Sequence, residues 1–445
     1  MRPKPRSNIA GEVFMRRRDI LKALPCAGLA ALPAAAQVPQ HTGVRLKITD
    51  IRLLRLKVIK DLGTLVGFNG PWDINHVIVG GGTVLEVRTD QGLIGIGSSV
   101  DPVQLPRLRA GVIGRDAFDV QRIMSDLRDV TYFRRLQVTG SGAPAGEDPA
   151  MPLAAAAGRG GDTSTDRAYA ALEIALWDLI GKACNMPLYK MWGQCKDRII
   201  PYASQSRLGD PKSLAEMSAK IKADGWRSVK YRAHFKTMKD DIALVEETRK
   251  LVGDDFDIMC DANQATNTYL TPDAPWDFER AVDTARAYKQ LKVYWLEEPL
   301  GRHDLDRQAE LNRLVDVPLA GGEGNRGLHE FRDLLLRRSF DIVQPEILLE
   351  GPGEFRKIAA FAEAMDTRVS PHLADGRVAT VCNMHLVASL PNVEYLEIDH
   401  DLPLKAYSNG FAIFEDPPVF QKGGYFNLPD KPGLGVTINK DLILS

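Results

Sequence analysis

Asp261, Glu297 and Glu323 each close a short apolar run (FDIMCD, VYWLEE, VPLAGGE), at intervals of 36 and 26 residues. Each interval is long enough for a strand, a helix and their turns. Consecutive strands of a parallel barrel would therefore deliver all three carboxylates to one C-terminal face, where such folds keep their chemistry. Three carboxylates meeting without a cation repel and raise one another's pKa. A bound divalent ion removes that repulsion and leaves coordination positions for substrate oxygens. Hard oxygen donors suit Mg²⁺, one ion per site.

The elements needed to hold these residues can be read between residues 198 and 400. Strand-like IIPYAS, RSVKYR, FDIMCD, VYWLEE, VPLA, DIVQP, RVSPH and EYLEI alternate with helical patterns over 211–224, 240–251, 277–289, 304–313, 327–338, 353–366 and 376–388. About eight short βα units predict an α/β protein with a closed (β/α)8 TIM-type barrel over residues 186–400, rather than an open doubly wound sheet. The last unit has no clear helix, so the barrel is expected to be modified. Before it, residues 44–185 read as an α+β domain: an antiparallel meander with a turn at Asp90-Gln91-Gly92, then helices. A Gly-rich flap over Asp61–Asn75, tipped by Phe68 and Trp72, is expected between its first two strands, with a Gly- and Pro-rich insertion over 139–161. A strongly amphipathic helix opens at Asp166 and is expected to pack against the barrel. Residues 401–445 read as a tail that returns to the N-terminal domain.

The first 36 residues differ in character. Arg17-Arg18-Asp19-Ile20-Leu21-Lys22 precedes a modest apolar stretch ending in small residues, which resembles a twin-arginine export signal with cleavage after Ala36. The expected location is periplasmic. This segment carries seven Lys or Arg against two acids, so its removal takes the formal charge from −1 to about −6. A mildly acidic chain without a basic stripe argues against nucleic acid as a partner, and no apolar run reaches the length of a membrane span. Cys184, Cys195, Cys260 and Cys382 show no CxxC spacing and are expected to be mostly free thiols. Neither a Walker loop, a GxGxxG after a strand nor a nucleophile elbow is apparent, which argues against phosphoryl transfer, dinucleotide chemistry and serine hydrolysis.

Asp261-Ala262-Asn263-Gln264, Trp295-Leu296-Glu297-Glu298-Pro299, Gly322-Glu323, Gln344-Pro345-Glu346 and Pro371-His372, in that order and spacing, resemble the enolase superfamily, in its mandelate racemase and muconate lactonizing enzyme branch. The resemblance covers nearly all of the mature chain. It implies an N-terminal capping domain, completed by the C-terminal tail, over the mouth of a modified barrel, and a homo-oligomer. It also implies removal of a proton alpha to a carboxylate, with Mg²⁺ stabilising the enediolate oxygens. Asp261, Glu297 and Glu323 map to the metal ligands, and Glu298 to a supporting position.

Around them, the resemblance places His372 as the base, because imidazole titrates near working pH, with Glu346 on its other nitrogen where the family usually has aspartate. On the opposite face the family's Lys-x-Lys is here Lys230-x-Arg232. Arginine stays protonated, so Arg232 is expected to clamp a carboxylate rather than accept a proton, and two-base racemisation is disfavoured. Lys230 would polarise the substrate carboxylate. Glu397, after the eighth strand, is expected as a protonated or proton-sharing electrophile. Arg232, His234, Asn263, Phe68 and Trp72 are the expected substrate contacts. Together these imply a Mg²⁺-dependent dehydratase of an acid sugar or related α-hydroxy carboxylate. A racemase or epimerase, and a non-catalytic periplasmic binder of sugar acids, are the alternatives.

Overall fold

The computed structural model describes residues 45–67, 73–128, 163–207, 209–267, 275–373 and 376–444. The leader, Phe68, Trp72 and the 139–161 insertion lie outside the described residues. The described residues belong to one compact unit.

Among the described residues the N-terminal part holds five strands: β1 (Ile48–Arg55), β2 (Val58–Val66), β3 (Ile74–Gly80), β4 (Thr83–Thr89) and β5 (Ile94–Gly97). The expected single meander is two sheets instead. β4 pairs antiparallel with both β1 and β5, whereas β2 and β3, among the described residues, pair only with each other. Much of the expected flap is therefore strand, since Asp61 to Val66 pair in register with Ile78 to Ile74. Interstrand hydrogen bonds satisfy a backbone that would otherwise be left to solvent, and bulges near Val58 and Asp61 absorb the glycine.

The long helix Thr163–Ala183 covers this sheet and also faces the broken helix Ile347–Ala364 of the C-terminal part. Gly351, at φ 72°, breaks that second helix. Glu173 is buried between the two helices, where its Oε1 accepts from the Gly353 N–H at 2.9 Å. A Cβ on Gly353 would lie 2.4 Å from that same oxygen, so glycine is what lets the helices approach. Asp178, fully buried on the same helix, accepts from the N–H groups of Ile96 and Leu434 and so ties β5 to the C-terminal tail.

Strands β6 (Arg198–Ser204), β7 (Ser228–Arg232), β8 (Asp257–Asp261), β9 (Trp295–Glu297), β10 (Leu319–Gly321), β11 (Ile342–Val343) and β12 (Arg368–Val369) run parallel in that order. β13 (Tyr395–Asp399) pairs parallel with β6, and a single parallel bridge between Val369 and Val393 links β12 to the residues entering β13. Beyond β13, β14 (Phe420–Gln421) and β15 (Tyr425–Asn427) add two antiparallel strands at the start of β6. The tail also meets the N-terminal part, with Lys57 N–H donating to Leu442 O and Leu444 N–H to Arg55 O, each at 2.8 Å.

Alternation along the parallel strands sorts the interior. Val229, Tyr231, Ile258, Cys260, Leu296 and Leu396 join the large outer core under the helices. Tyr202, Met259, Trp295, Ala320, Ile342 and Tyr395 form a separate cluster enclosed by the strands. The next inward positions toward the C-terminal ends are charged: Lys230, Asp261, Glu297 and Glu397. An apolar floor thus lies beneath a layer of ionisable groups.

Candidate active site

Asp261 ends β8 and Glu297 ends β9, and the two are direct register partners. Glu323 follows β10 after Gly321 and Gly322. A Cβ on Gly321 would stand 2.5 Å from the Phe340 ring, and Gly322 has φ +111°, which explains why this turn needs two glycines. The ligand oxygens of Asp261, Glu297 and Glu323 lie within 4.8 Å of one another. Burial, then Glu297, outweigh Arg232 and Lys230 and push Asp261 up to about 8. Buried Glu298 is likewise held well above the usual carboxylate range by burial, then by Glu323 and Asp261. Hard, buried, mutually repelling oxygens are the donor set a Mg²⁺ ion fits.

Each of the three carboxylates also faces at least one basic side chain, and Asp261 faces two, with Lys230 Nζ 3.8 Å from its Oδ2. Arg232 Nη1 donates to Asp261 Oδ2. Lys230 Nζ lies 2.9 Å and 3.1 Å from the two oxygens of Glu297 and 2.9 Å from Glu397 Oε1. His372 Nε2 lies 2.9 Å from Glu323 Oε2, while its Nδ1 lies 2.7 Å from Glu346 Oε2. Glu346 caps the helix Ile347–Ala364, its Oε1 accepting from Leu348 N–H at 2.8 Å. The methylene it has beyond aspartate lets one carboxylate serve the helix and the imidazole together.

Two expectations about charge change here. Burial alone would lower the His372 pKa, but Glu323 and Glu346 outweigh it and raise it well above an ordinary imidazole. Burial would raise Glu397, yet Lys230, His372 and Arg232 bring it down to about 2, so the surroundings favour the anion over the protonated electrophile. Its Oε2 accepts from Leu373 N–H at 3.0 Å. Asn263 is turned to Asp261 rather than outward: its backbone N–H and Nδ2 both donate to that carboxylate, at 2.8 Å and 3.0 Å. His234 is buried two residues past Arg232.

Sequence reasoning missed two residues of the floor. Trp295 Nε1 donates to Glu297 Oε2 at 3.1 Å, and Lys230 Nζ stands 5.7 Å over the Tyr202 ring. The signal for Trp295 was available, since a residue two before Glu297 on a strand shares its face. Past the end of β13, a separate cavity of about 190 Å³ is lined by His76 from β3, Arg377, Asp399, Lys405 and Asn409.

The chain belongs to the enolase superfamily. Residues 212–442 match the enolase C-terminal domain-like family, and residues 81–193 match the mandelate racemase / muconate lactonizing enzyme N-terminal domain. It is 30% identical over 273 residues to the arabinonate dehydratase of Saccharolobus solfataricus, spanning 60% of this chain and 68% of that one. With the L-talarate/galactarate dehydratase of Salmonella typhimurium it shares 25% identity over 424 residues, 92% of this chain and 93% of that one. A racemase from Streptomyces coelicolor, solved with bound magnesium, superposes with a TM-score of 0.66 at 25% identity, covering 88% of this chain and 97% of its own. Solved relatives imply an N-terminal cap on a C-terminal barrel, and the parallel sheet is consistent with that plan. The relatives act as dehydratases, racemases and cycloisomerases.

Proposed function

We propose that the protein is a Mg²⁺-dependent dehydratase of an acid sugar, built on a modified (β/α)8 barrel. The carrying observation is that an imidazole stands beside the carboxylate triad on one side of the cluster, whereas the other side offers only an arginine and a clamped lysine. On the first side His372 is held by Glu346 at 2.7 Å beside the carboxylate triad. On the other, Arg232 is committed to Asp261 and fully buried Lys230 is clamped between Glu297 and Glu397, whose charges outweigh burial and raise its pKa. A racemase needs a proton acceptor on each face.

Asp261, Glu297 and Glu323 would hold the cation, which supplies charge stabilisation for the oxygens of the deprotonated acid. With Glu323 engaged as a ligand, the charge that keeps His372 protonated would be weaker; Glu346 would then orient Nδ1, and Nε2 could accept the α-proton. His372, once protonated, is positioned to return that proton to the departing β-hydroxyl. Lys230 and Arg232 place positive charge beside the substrate carboxylate, and Glu397 fixes Lys230.

Incubation with a panel of sugar acids and Mg²⁺ in D₂O tests this. Loss of water with formation of a keto acid is expected; inversion at the α-carbon without loss of water would make the protein an epimerase. The Arg17-Arg18 leader supports export of the folded chain. Fusing residues 1–44 to a reporter tests that reading, which requires secretion to depend on both arginines.

A further inference from the structure

Trp295 and Glu297 share the inward face of β9, and the indole lies directly beneath the carboxylate. Trp295 is 1% exposed, so its N–H must find an acceptor inside the protein. The acceptor is Glu297 Oε2, at 3.1 Å. The ring has no room to turn, with Tyr202 and Tyr294 packed edge-on at 5.4 Å and 5.5 Å and Tyr395 at 6.4 Å. Lys230 donates to both oxygens of the same carboxylate. Two buried donors therefore fix the rotation of Glu297, and only one of them, Trp295, is neutral.

We propose that Trp295 is a positioning residue for the cation site, holding Glu297 in the orientation that meets Asp261 and Glu323. The proposal rests on the reading of these carboxylates as Mg²⁺ ligands. A neutral donor suits this place because it orients the carboxylate without adding a charge that opposes a divalent ion. Hydrogen bonds to an ionised acceptor in a buried setting are strong, and outer partners of metal ligands are typically worth about 10- to 100-fold in affinity.

Calorimetric titration of the full chain with Mg²⁺ tests it, comparing wild type, Glu297→Ala, Trp295→Phe and Tyr395→Phe. Glu297→Ala is expected to lose binding, Trp295→Phe to weaken it roughly 10- to 100-fold, and Tyr395→Phe, which loosens the same floor without touching Glu297, to leave it unchanged. Replacing Trp295 with benzothienylalanine keeps the bulk and removes only the N–H donor; it is expected to reproduce the weakening even if Trp295→Phe folds poorly. Loss in Glu297→Ala with wild-type affinity for the benzothienylalanine protein overturns the proposal alone. Equal weakening by Tyr395→Phe also overturns it, because general loosening would then explain the effect. Unchanged affinity in Glu297→Ala removes the cation site and this proposal together.

Discussion

Lys230 Nζ lies 2.9 Å from Glu297 Oε1, with both side chains fully excluded from solvent. A buried ammonium of this kind is stable only because Glu297 and Glu397 outweigh the cost of its desolvation. Removing it leaves two buried carboxylates uncompensated. Lys230→Met is expected to lower stability by about 3–5 kcal/mol in chelator. Saturating Mg²⁺ should recover part of that loss by binding the folded state. Thermal melts with and without Mg²⁺ check both statements, and equal melting temperatures for wild type and variant in chelator would refute the first.

The other cation ligands should behave like Glu297. Asp261→Ala and Glu323→Ala are each expected to abolish Mg²⁺ binding by calorimetry, since each removes one of three donors within 4.8 Å. Unchanged affinity in either would take that residue out of the site.

His372→Asn should eliminate turnover while Mg²⁺ still binds. Glu346→Gln should slow turnover on the order of 100-fold, a typical size for one general acid–base contribution. Removing that carboxylate takes away a group that favours the imidazolium. The acid limb of the kcat/KM profile should therefore move to lower pH, and a profile that keeps its wild-type limb would separate Glu346 from the titration of His372.

Two buried histidines outside the carboxylate cluster set an acid limit. His385 accepts from Tyr189 N–H and faces Leu434 O, and His400 stacks on Trp226 at 4.7 Å. Burial pushes both down to about 4. A depressed histidine pKa means the folded state favours the neutral ring. Stability is then fully present above about 6.5 and falls as pH drops toward 4, by about 3 kcal/mol for fully buried His385. His385→Gln should flatten that limb in denaturant titrations between pH 7 and 4.

Glu350 gives the opposite slope. Burial raises it to about 8 even though it accepts from Gly327 N–H at 3.0 Å. Its neutral form is the one the fold favours, so its contribution is present below about 4.5 and is lost as pH rises through 8. Glu350→Gln should melt higher than wild type at pH 9 and close to it at pH 5; a difference that does not grow with pH would count against this assignment.

Much of this was legible in the linear chain. All eight inner parallel strands and seven helices between them show as short apolar runs and amphipathic periods, because burial on one face imposes a period on the residues that supply it. The same rule made Asp261, Glu297 and Glu323 conspicuous, each being a charge where an apolar run stops. It did not show that Asp61 to Val66 pair with Ile74 to Ile78, since a β-ribbon exposed on most of its surface carries no hydrophobic pattern.

What the sequence determined by itself, then, is which residues stand at the strand ends and what ions they can hold, because residue type and strand period are local properties. Only the tertiary structure decided their partners: Arg232 with Asp261, Lys230 between Glu297 and Glu397, His372 between Glu323 and Glu346. Those pairings join residues from 26 to 167 positions apart. They set which groups are charged, because a buried group's pKa depends on the few atoms nearest to it in space, and the chain order does not specify those atoms.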